Sequence, residues 1–310
     1  MPPASRNHFS PSADALRWVA DAVGSGARVT SVSPLAGASS TLLHSIEADY
    51  KGRIIKLVLR QFDDEKWVER EPDLARHEAA NIEMAGAADV PTPELIAYDE
   101  HGDYCGVPST LVTLLPGRVE LKPSNFDEWL SGLARALLPV HALDADGYPW
   151  SYYPYSDLAR LEPPAWSSWP ELWEKAIEIV RGAPPVSRVC FIHRDYHPNN
   201  VLWKAGRVSG IVDWVNACRG PAGIDVAWCR QNLAQLYGVS EADAFLDAYR
   251  LLADGSFEYH PYWDLIAAIE FLPGPPGVYE GWLAFGAEGL SDELTTGRVD
   301  EYLSSVLARV

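Results

Sequence analysis

Two runs of apolar and β-branched residues, TLLHSIEA (41–48) and RIIKLVLRQF (53–62), stand on either side of the tetrapeptide DYKG. Runs of this composition satisfy their backbone groups best on each other, and Asp, Lys and Gly make the turn between them, so the spacing predicts an antiparallel hairpin. The preceding stretch ARVTSVSPLAG reads as further β-structure. Ahead of it, Leu16, Val19, Ala20 and Val23 recur at helical spacing behind Ser12 or Asp14 as a cap, which predicts a short first helix. After the hairpin, Leu74, His77, Glu78, Ile82 and Met84 predict a helix that begins after Pro72 and Asp73 and ends before Pro91. YCGVPSTLVTLLPG adds one more strand, stopped by Pro116 and Gly117. The first third of the chain is therefore an α+β unit built on an antiparallel sheet.

Beyond Gly117 the period changes. In NFDEWLSGLARALLPVHAL, Phe126, Trp129, Leu130, Leu133, Leu137 and Val140 fall on one helical stripe. WPELWEKAIEIVRG, GIDVAWCRQNLAQLYG, SEADAFLDAYRLLADG and YWDLIAAIEFL predict further helices, the third opening on a Ser-x-x-Asp cap at Ser240. No internal repeat is visible. A length of 310 residues suits two lobes: a small β-rich N-lobe over 1–115 and a larger, mainly helical C-lobe over 116–310.

Charge narrows the partners. Asp and Glu number 43 against 25 Lys and Arg, a formal net charge of -18, and the isoelectric point is near 4.8. Binding to nucleic acid or to an anionic membrane draws on Lys and Arg to release counterions, so neither partner is expected. A surplus of this sign favours a cationic small molecule. Cys105, Cys190, Cys218 and Cys229 are scattered without a CxxC pair, which predicts reduced thiols packed as small hydrophobes. The N-terminal residues lack the apolar run of a signal peptide, and no stretch reaches the roughly 18 unbroken apolar residues of a membrane span. A cytoplasmic protein is expected.

The densest chemistry lies in FIHRDYHPNN (191–200), which brings His193, Asp195, His197 and Asn200 within eight residues. It runs into NVLWKAGRVSGIVDW (200–214), where two strand-like segments flank the turn KAGR and predict a second hairpin. With Trp203 opposite Val208, Asn200 falls opposite Ile211, and Asp213 lies one diagonal step beyond on the same face. An amide oxygen and a carboxylate would then meet at one end of the hairpin, with Asp195 on the loop before it. Oxygen donors of this kind suit Mg2+, which takes few protein ligands and completes its shell with water and phosphate.

HRDYHPNN followed by GIVDW resembles the catalytic H-x-D-x-x-x-x-N loop and metal-binding aspartate of kinases. The form IVDW, where protein kinases carry Asp-Phe-Gly, is similar to the aminoglycoside phosphotransferase and choline-kinase-like family of small-molecule kinases. LARALLPVHAL looks like that family's helix ending in a histidine, here His141. RGPAGIDVAW looks like the segment after the metal aspartate, with Asp225 as a structural acid near the loop. The resemblance implies a bilobal protein-kinase-like fold that moves the γ-phosphate of ATP, or of GTP, to a hydroxyl of a small molecule. It makes Asp195 the catalytic base, Asn200 and Asp213 the magnesium ligands, and His193 a residue that holds the loop.

In the N-lobe the same resemblance places a basic residue on a strand to hold the nucleotide phosphates, paired with a helix glutamate. Arg60 and Glu78 fill these positions, and Lys56, four residues back on the same strand face, is a rival. PLAGASST (34–41) occupies the place of the phosphate-covering loop, with Ser39 and Ser40 as hydroxyl donors. Thr113 to Leu115 would be the hinge against which adenine makes backbone hydrogen bonds. Asp264 and Glu270 are candidates for facing an amine-bearing acceptor, and Trp150, Tyr152 and Tyr153 either line a substrate cleft or pack.

Two other readings stay open at this point. His193, Asp195 and His197 alternate, so on a strand they would share one face as the ligands of a metal-dependent hydrolase do. A kinase-like protein that binds nucleotide without turning it over is the other. Oligomeric state is not legible in the sequence.

Overall fold

The computed structural model describes residues 10–35, 41–272 and 274–310, so Ser39 and Ser40 lie outside the described residues. Helix α1 (Ala13–Val23) is capped by Ser12, whose Oγ accepts the Ala15 N–H at 3.1 Å. Strands β1 (Arg28–Pro34), β2 (Leu42–Tyr50) and β3 (Arg53–Gln61) follow. β2 and β3 form the expected hairpin, paired from Leu42 opposite Gln61 to Tyr50 opposite Arg53. Lys51 and Gly52 turn the chain at φ 54° and 76°, the left-handed pair whose twist matches that of the flanking strands.

Helices α2 (Glu65–Arg70) and α3 (Leu74–Ala85) come next, then β4 (Leu95–Asp99) and β5 (Ser109–Thr113). The five strands make one antiparallel sheet in the order β1-β2-β3-β5-β4. Val19, Ile46, Leu57, Leu59 and Leu111 are fully buried together in its core. A second cluster joins Phe62, Leu74 and Ala75 to Val215, far along the chain. Residues 1–87, 91–116 and 212–216 thus form one compact unit. Neither α2 nor β4 was expected from the sequence, since each is short and bounded by residues that also read as loop.

The other unit holds residues 88–90, 117–211 and 217–310. Its elements are β6 (Arg118–Val119), α4 (Phe126–Ala142), α5 (Pro170–Val180), β7 (Val189–Ile192), β8 (Val201–Lys204), β9 (Arg207–Ile211) and β10 (Cys218–Pro221). Five helices complete it: α6 (Gly223–Leu236), α7 (Val239–Ala253), α8 (Pro261–Ile269), α9 (Glu280–Ala284) and α10 (Asp292–Leu307). The stripe read from α4 is buried at Trp129, Leu130, Leu133, Leu137 and Val140, and Asn125 caps the helix by accepting from Glu128 N. α6 is buried almost all round and forms the centre of this unit. Ser240 does not cap α7; the helix starts one residue earlier, and the Ser240 hydroxyl donates to Glu241. All four cysteines are free and buried. Among the described residues no helix is long and apolar enough to cross a membrane.

The second hairpin forms as expected, with Ala205 and Gly206 at φ 51° and 73°. Trp203 pairs with Val208, but the register shifts between Leu202 and Trp203, so Val201, not Asn200, stands opposite Ile211. A bulge at Ser209 inserts one residue into β9 and moves every later position by one. The expected Asn200–Ile211 pairing is corrected accordingly.

Gly132 shows how tightly α4 sits on this hairpin: a Cβ there would lie 2.5 Å from the Trp203 indole. Alanine gains roughly 1 kcal/mol of helix propensity over glycine, whereas forcing the ring aside costs roughly 1–3 kcal/mol. Gly132→Ala is therefore expected to lower the urea midpoint; a raised midpoint would show that the ring moves freely.

Candidate active site

The loop after β7 is fixed through its backbone. Arg194 takes φ 66°, a left-handed conformation that turns the chain out of the strand. The amides of His193 and Arg194 donate to the two oxygens of Asp225 at 2.7 and 2.6 Å. Asp225, in the first turn of α6, has no exposed surface. His141, near the end of α4, lies with Nε2 2.9 Å from Asp225 Oδ2 and Nδ1 2.6 Å from the Tyr249 hydroxyl. Burial pushes the Tyr249 phenol far above its ordinary value, so it keeps its proton and shares a hydrogen bond with Nδ1, while the Nε2–H donates to the Asp225 carboxylate. Asp225 thus does what the resemblance implied, and His141 is joined to it.

Downstream, Tyr196 donates its hydroxyl to Leu133 O at 2.8 Å and anchors the loop to α4. A short 3-10 turn over Pro198–Asn200 follows. The Asn200 amide donates to Asp195 O at 2.9 Å and reaches Asp195 Oδ2 at 3.4 Å. His197 Nε2 is 3.7 Å from Asp195 Oδ1. Asp195 and Asn200 are therefore neighbours, with the Asp195 carboxylate about one-third exposed at 36%. His193 is fully buried.

This geometry gives the hydrolase reading no support. β7 ends at Ile192, so His193, Asp195 and His197 are not alternate residues of a strand. Among the described residues no three His, Cys, Asp or Glu side chains gather to hold a metal.

Arg194 is enclosed by aromatic rings, with its guanidinium carbon 4.2 Å from the Tyr153 and Tyr155 centroids and 5.6 Å from that of Tyr152. It donates to Tyr153 O at 2.8 Å. Tyr152 and Tyr153 thus pack on the loop arginine. Glu270 holds the same segment by accepting from Tyr155 N, Ser156 N and Ser156 Oγ. Burial pushes its carboxyl up, and these hydrogen bonds pull it back. Asp264 is 1% exposed and is corrected as an acceptor-facing acid. Its oxygens accept from Arg230 and from the hydroxyls of Tyr259 and Tyr302. A buried guanidinium needs that counter-charge.

In the sheet unit, Arg60 on β3 is 8% exposed. Its Nε lies 3.1 Å from Glu78 Oε1 and its Nη2 3.0 Å from Asp213 Oδ1. Thr110 donates to the other Glu78 oxygen at 2.5 Å. Burial pushes the Glu78 carboxyl up while the Arg60 charge opposes it. Lys56 instead pairs with Glu47 at 3.2 Å on an exposed stretch, so of the two basic residues Arg60 is the one joined to Glu78. Asn81, one turn beyond Glu78 on α3, donates to Trp214 O at 2.7 Å and ties down residues 212–216. The sequence reading missed Asn81, although its three-residue spacing from Glu78 puts both on one helix face. Thr113 directs its N–H to Glu94 O, and its hydroxyl oxygen accepts from Glu94 N. Leu115 follows the end of β5 and is half-buried.

The donor chemistry suits a hard cation. Asn200 has its NH2 end committed to Asp195, which leaves the amide oxygen to accept. Asp213 offers a carboxylate that is 32% exposed. Both are oxygen donors of the kind Mg2+ takes.

Asp225 accepts three N–H donors, and an asparagine in its place could not serve them all. Asp225→Asn is expected to cost about 3 kcal/mol or more in urea unfolding, because each stranded buried donor costs roughly 1–3 kcal/mol. It should also speed hydrogen exchange at residues 190–196; an unchanged midpoint and exchange pattern would show that the loop stands without this anchor.

Comparison with known proteins agrees with the resemblance read from HRDYHPNN and IVDW. Homoserine kinase from Bradyrhizobium sp. (strain ORS 278) is 27% identical over 199 residues, 56% of this chain and 58% of the relative. Homoserine kinase from Rhizobium etli (strain CIAT 652) is 27% identical over 173 residues, 48% of this chain and 50% of the relative. The matches therefore span only a little over half the length of these curated relatives. Among solved structures, the macrolide 2'-phosphotransferase of Brachybacterium faecium superposes with a TM-score of 0.56 at 17% identity, over 93% of this chain and 98% of its own. A thermostable variant of the aminoglycoside phosphotransferase APH(4)-Ia, in ternary complex with AMP-PNP and hygromycin B, gives 0.59 at 15% identity, over 94% and 98%. These likenesses show the kinase-like α+β fold. The model of the phosphotransferase enzyme family matches residues 32–265, about three-quarters of the sequence, and the chain belongs to that family.

Proposed function

We propose that this protein is a small-molecule kinase that transfers the γ-phosphate of ATP to a hydroxyl group. The reading rests on one observation, the loop in which Asp225 fixes the backbone of His193 and Arg194 while Asn200 donates to Asp195. Phosphoryl transfer needs positioning and charge neutralisation more than covalent chemistry, and a preset carboxylate on a rigid loop supplies the first. Asp195 accepts the proton of the acceptor hydroxyl as its oxygen bonds to the γ-phosphorus and the bond to the ADP oxygen breaks. Asn200 and Asp213 are the proposed ligands of Mg2+, which supplies neutralisation of phosphate charge. Arg60, oriented by Glu78, is proposed to bind the nucleotide phosphates, with Ser39 and Ser40, which lie outside the described residues, as further phosphate donors and the backbone of Thr113 to Leu115 against the base. His193 holds the loop and moves no proton.

The acceptor is proposed to be a small alcohol that carries an amine. The net charge of -18 favours a cation, and the named relatives include homoserine kinases and an aminoglycoside phosphotransferase. Asp264 and Glu270 no longer support this choice, since both are committed within the fold.

An ATP-consumption screen with Mg2+ tests the reading, with homoserine, amino alcohols, choline, aminoglycosides and macrolides as acceptors and a GTP arm beside ATP. Acceptor-dependent turnover is expected with at least one amine-bearing alcohol. Nucleotide binding without turnover over the whole panel would favour a kinase-like binding protein instead. Asp195→Ala should lower turnover about 10²–10⁴-fold, the usual contribution of a positioned base, and spare ATP affinity; wild-type rates would remove it from the mechanism. Asp213→Ala should weaken calorimetric ATP binding in the presence of Mg2+ and much less in its absence, and equal losses under both conditions would rule it out as a metal ligand.

A further inference from the structure

Behind the anchored loop lies a cavity of about 600 Å3, bounded by the end of α4, the start of α6, the end of α7 and the chain on either side of Pro185 and Phe257. Its volume falls within the roughly 300–1,000 Å3 typical of small-molecule sites. None of residues 191–200 lines it, so it is not the place where an acceptor would meet Asp195. Leu138, Leu252, Phe257 and Trp263 give it an apolar and aromatic wall. Two charged side chains stand among the lining residues, Arg188 and Glu258, both exposed and of opposite sign. The Arg188 charge opposes the upward push of burial at Cys190 and Tyr249, and all three residues line the cavity. His260 and Ser187 also line the cavity, but each already accepts a hydrogen bond, His260 Nδ1 from Tyr262 N and Ser187 Oγ from Trp263 Nε1.

We propose that this cavity is a second ligand site, that its ligand is a free α-amino acid with an aliphatic or aromatic side chain, and that its occupation is read by the loop at residues 193–200. An amino acid presents one carboxylate and one ammonium on a single carbon. Arg188 and Glu258 match those two charges, and the apolar wall takes the side chain. A purely anionic ligand would meet Glu258 and a purely cationic one Arg188, so the zwitterion is the chemistry that satisfies both.

The route to the loop is short. Tyr249 and His141 both line the cavity. The Tyr249 hydroxyl is hydrogen-bonded to His141, His141 donates to Asp225, and Asp225 accepts the amides of His193 and Arg194. A ligand packed against the Tyr249 ring and the His141 edge therefore presses on the hydrogen-bonded chain that sets the loop. This half of the proposal rests on the reading of residues 193–200 as the catalytic loop, whereas the binding site itself does not.

The test uses the full chain without nucleotide, titrated calorimetrically with L-phenylalanine, L-leucine and L-tryptophan. Saturable binding of at least one, at about 0.1–1 mM as befits so small a ligand, is expected. For L-phenylalanine, 3-phenylpropanoate and phenylethylamine, which each lack one of the two charges, should bind at least tenfold more weakly. Arg188→Gln and Glu258→Gln, both at exposed positions, should each weaken L-phenylalanine at least tenfold. Bound amino acid should slow hydrogen exchange at residues 190–200, and Tyr249→Phe should abolish that slowing while binding persists. No saturable binding of any of the three up to about ten times that range overturns the site. Binding indifferent to both substitutions places the ligand elsewhere and overturns it equally. Binding with unaltered exchange at residues 190–200 overturns the coupling. No readout involves ATP turnover, so a failed acceptor screen and a failed second site are told apart.

Discussion

A single buried carboxylate holds the geometry on which the proposed chemistry rests. Asp225 has no contact with solvent, and an unpaired charge in that position would be costly. It is stable because three N–H groups point at it, two from the loop and one from His141, and because it sits at the positive end of α6. The same bonds hold Arg194 in a left-handed conformation that costs an L-residue roughly 1–2 kcal/mol. Hydrogen bonds to a charged group contribute roughly 1.5–3 kcal/mol each, so two of them outweigh the strain. Asp195 follows directly, and its backbone direction is set before any ligand arrives. Preset direction is what phosphoryl transfer asks of a protein, since it removes reorganisation from the barrier.

Arg60 plays the equivalent part in the sheet unit. One guanidinium meets two carboxylates, Glu78 through Nε and Asp213 through Nη2. A lysine ammonium is a single point charge on a flexible stem, whereas a guanidinium spreads its charge over several nitrogens and so can form ion pairs with two carboxylates at once. That difference would suit arginine at the place the resemblance assigns to a phosphate-holding residue. The triad sets two carboxylates against one guanidinium, and Asp213 is the more exposed of the two acids at 32% against 5%, in keeping with its proposed role as a metal ligand.

Local pattern carried most of the fold. The hairpins were legible because Gly52 and Gly206 supply the positive φ that a tight turn between two strand-like runs needs, and α4 was legible because its stripe is long and capped by Asn125. The short strands β4, β7 and β10 escaped, since four or five residues carry too little period to separate strand from loop. α10 escaped although Thr295, Val299, Tyr302, Leu303 and Val306 keep helical spacing, because its apolar positions are diluted by Asp, Glu, Ser and Thr. The bulge at Ser209 left no local mark, so the register of Asn200 was misjudged by one. In the candidate site, the closeness of Asp195 and Asn200 was legible in the spacing of HRDYHPNN, and the pairing of Arg60 with Glu78 in the resemblance. Asp264 was misassigned because its partners are remote in sequence: Arg230 stands 34 residues before it and Tyr302 38 after.

The aspartates of the helical unit show why a count of acids predicts so little about binding. Asp225 and Asp264 are buried, and every oxygen they carry is engaged by a donor within the fold. Their charge is neutralised locally and adds little to the field that a solute feels. Asp195 differs because Asn200 reaches its carboxylate only at 3.4 Å and water reaches more than a third of it. A carboxylate can take a proton from an incoming hydroxyl only where its lone pairs face the solvent side. The formal charge of -18 counts these buried acids together with the exposed ones, so a total by itself does not say which acid a solute would meet.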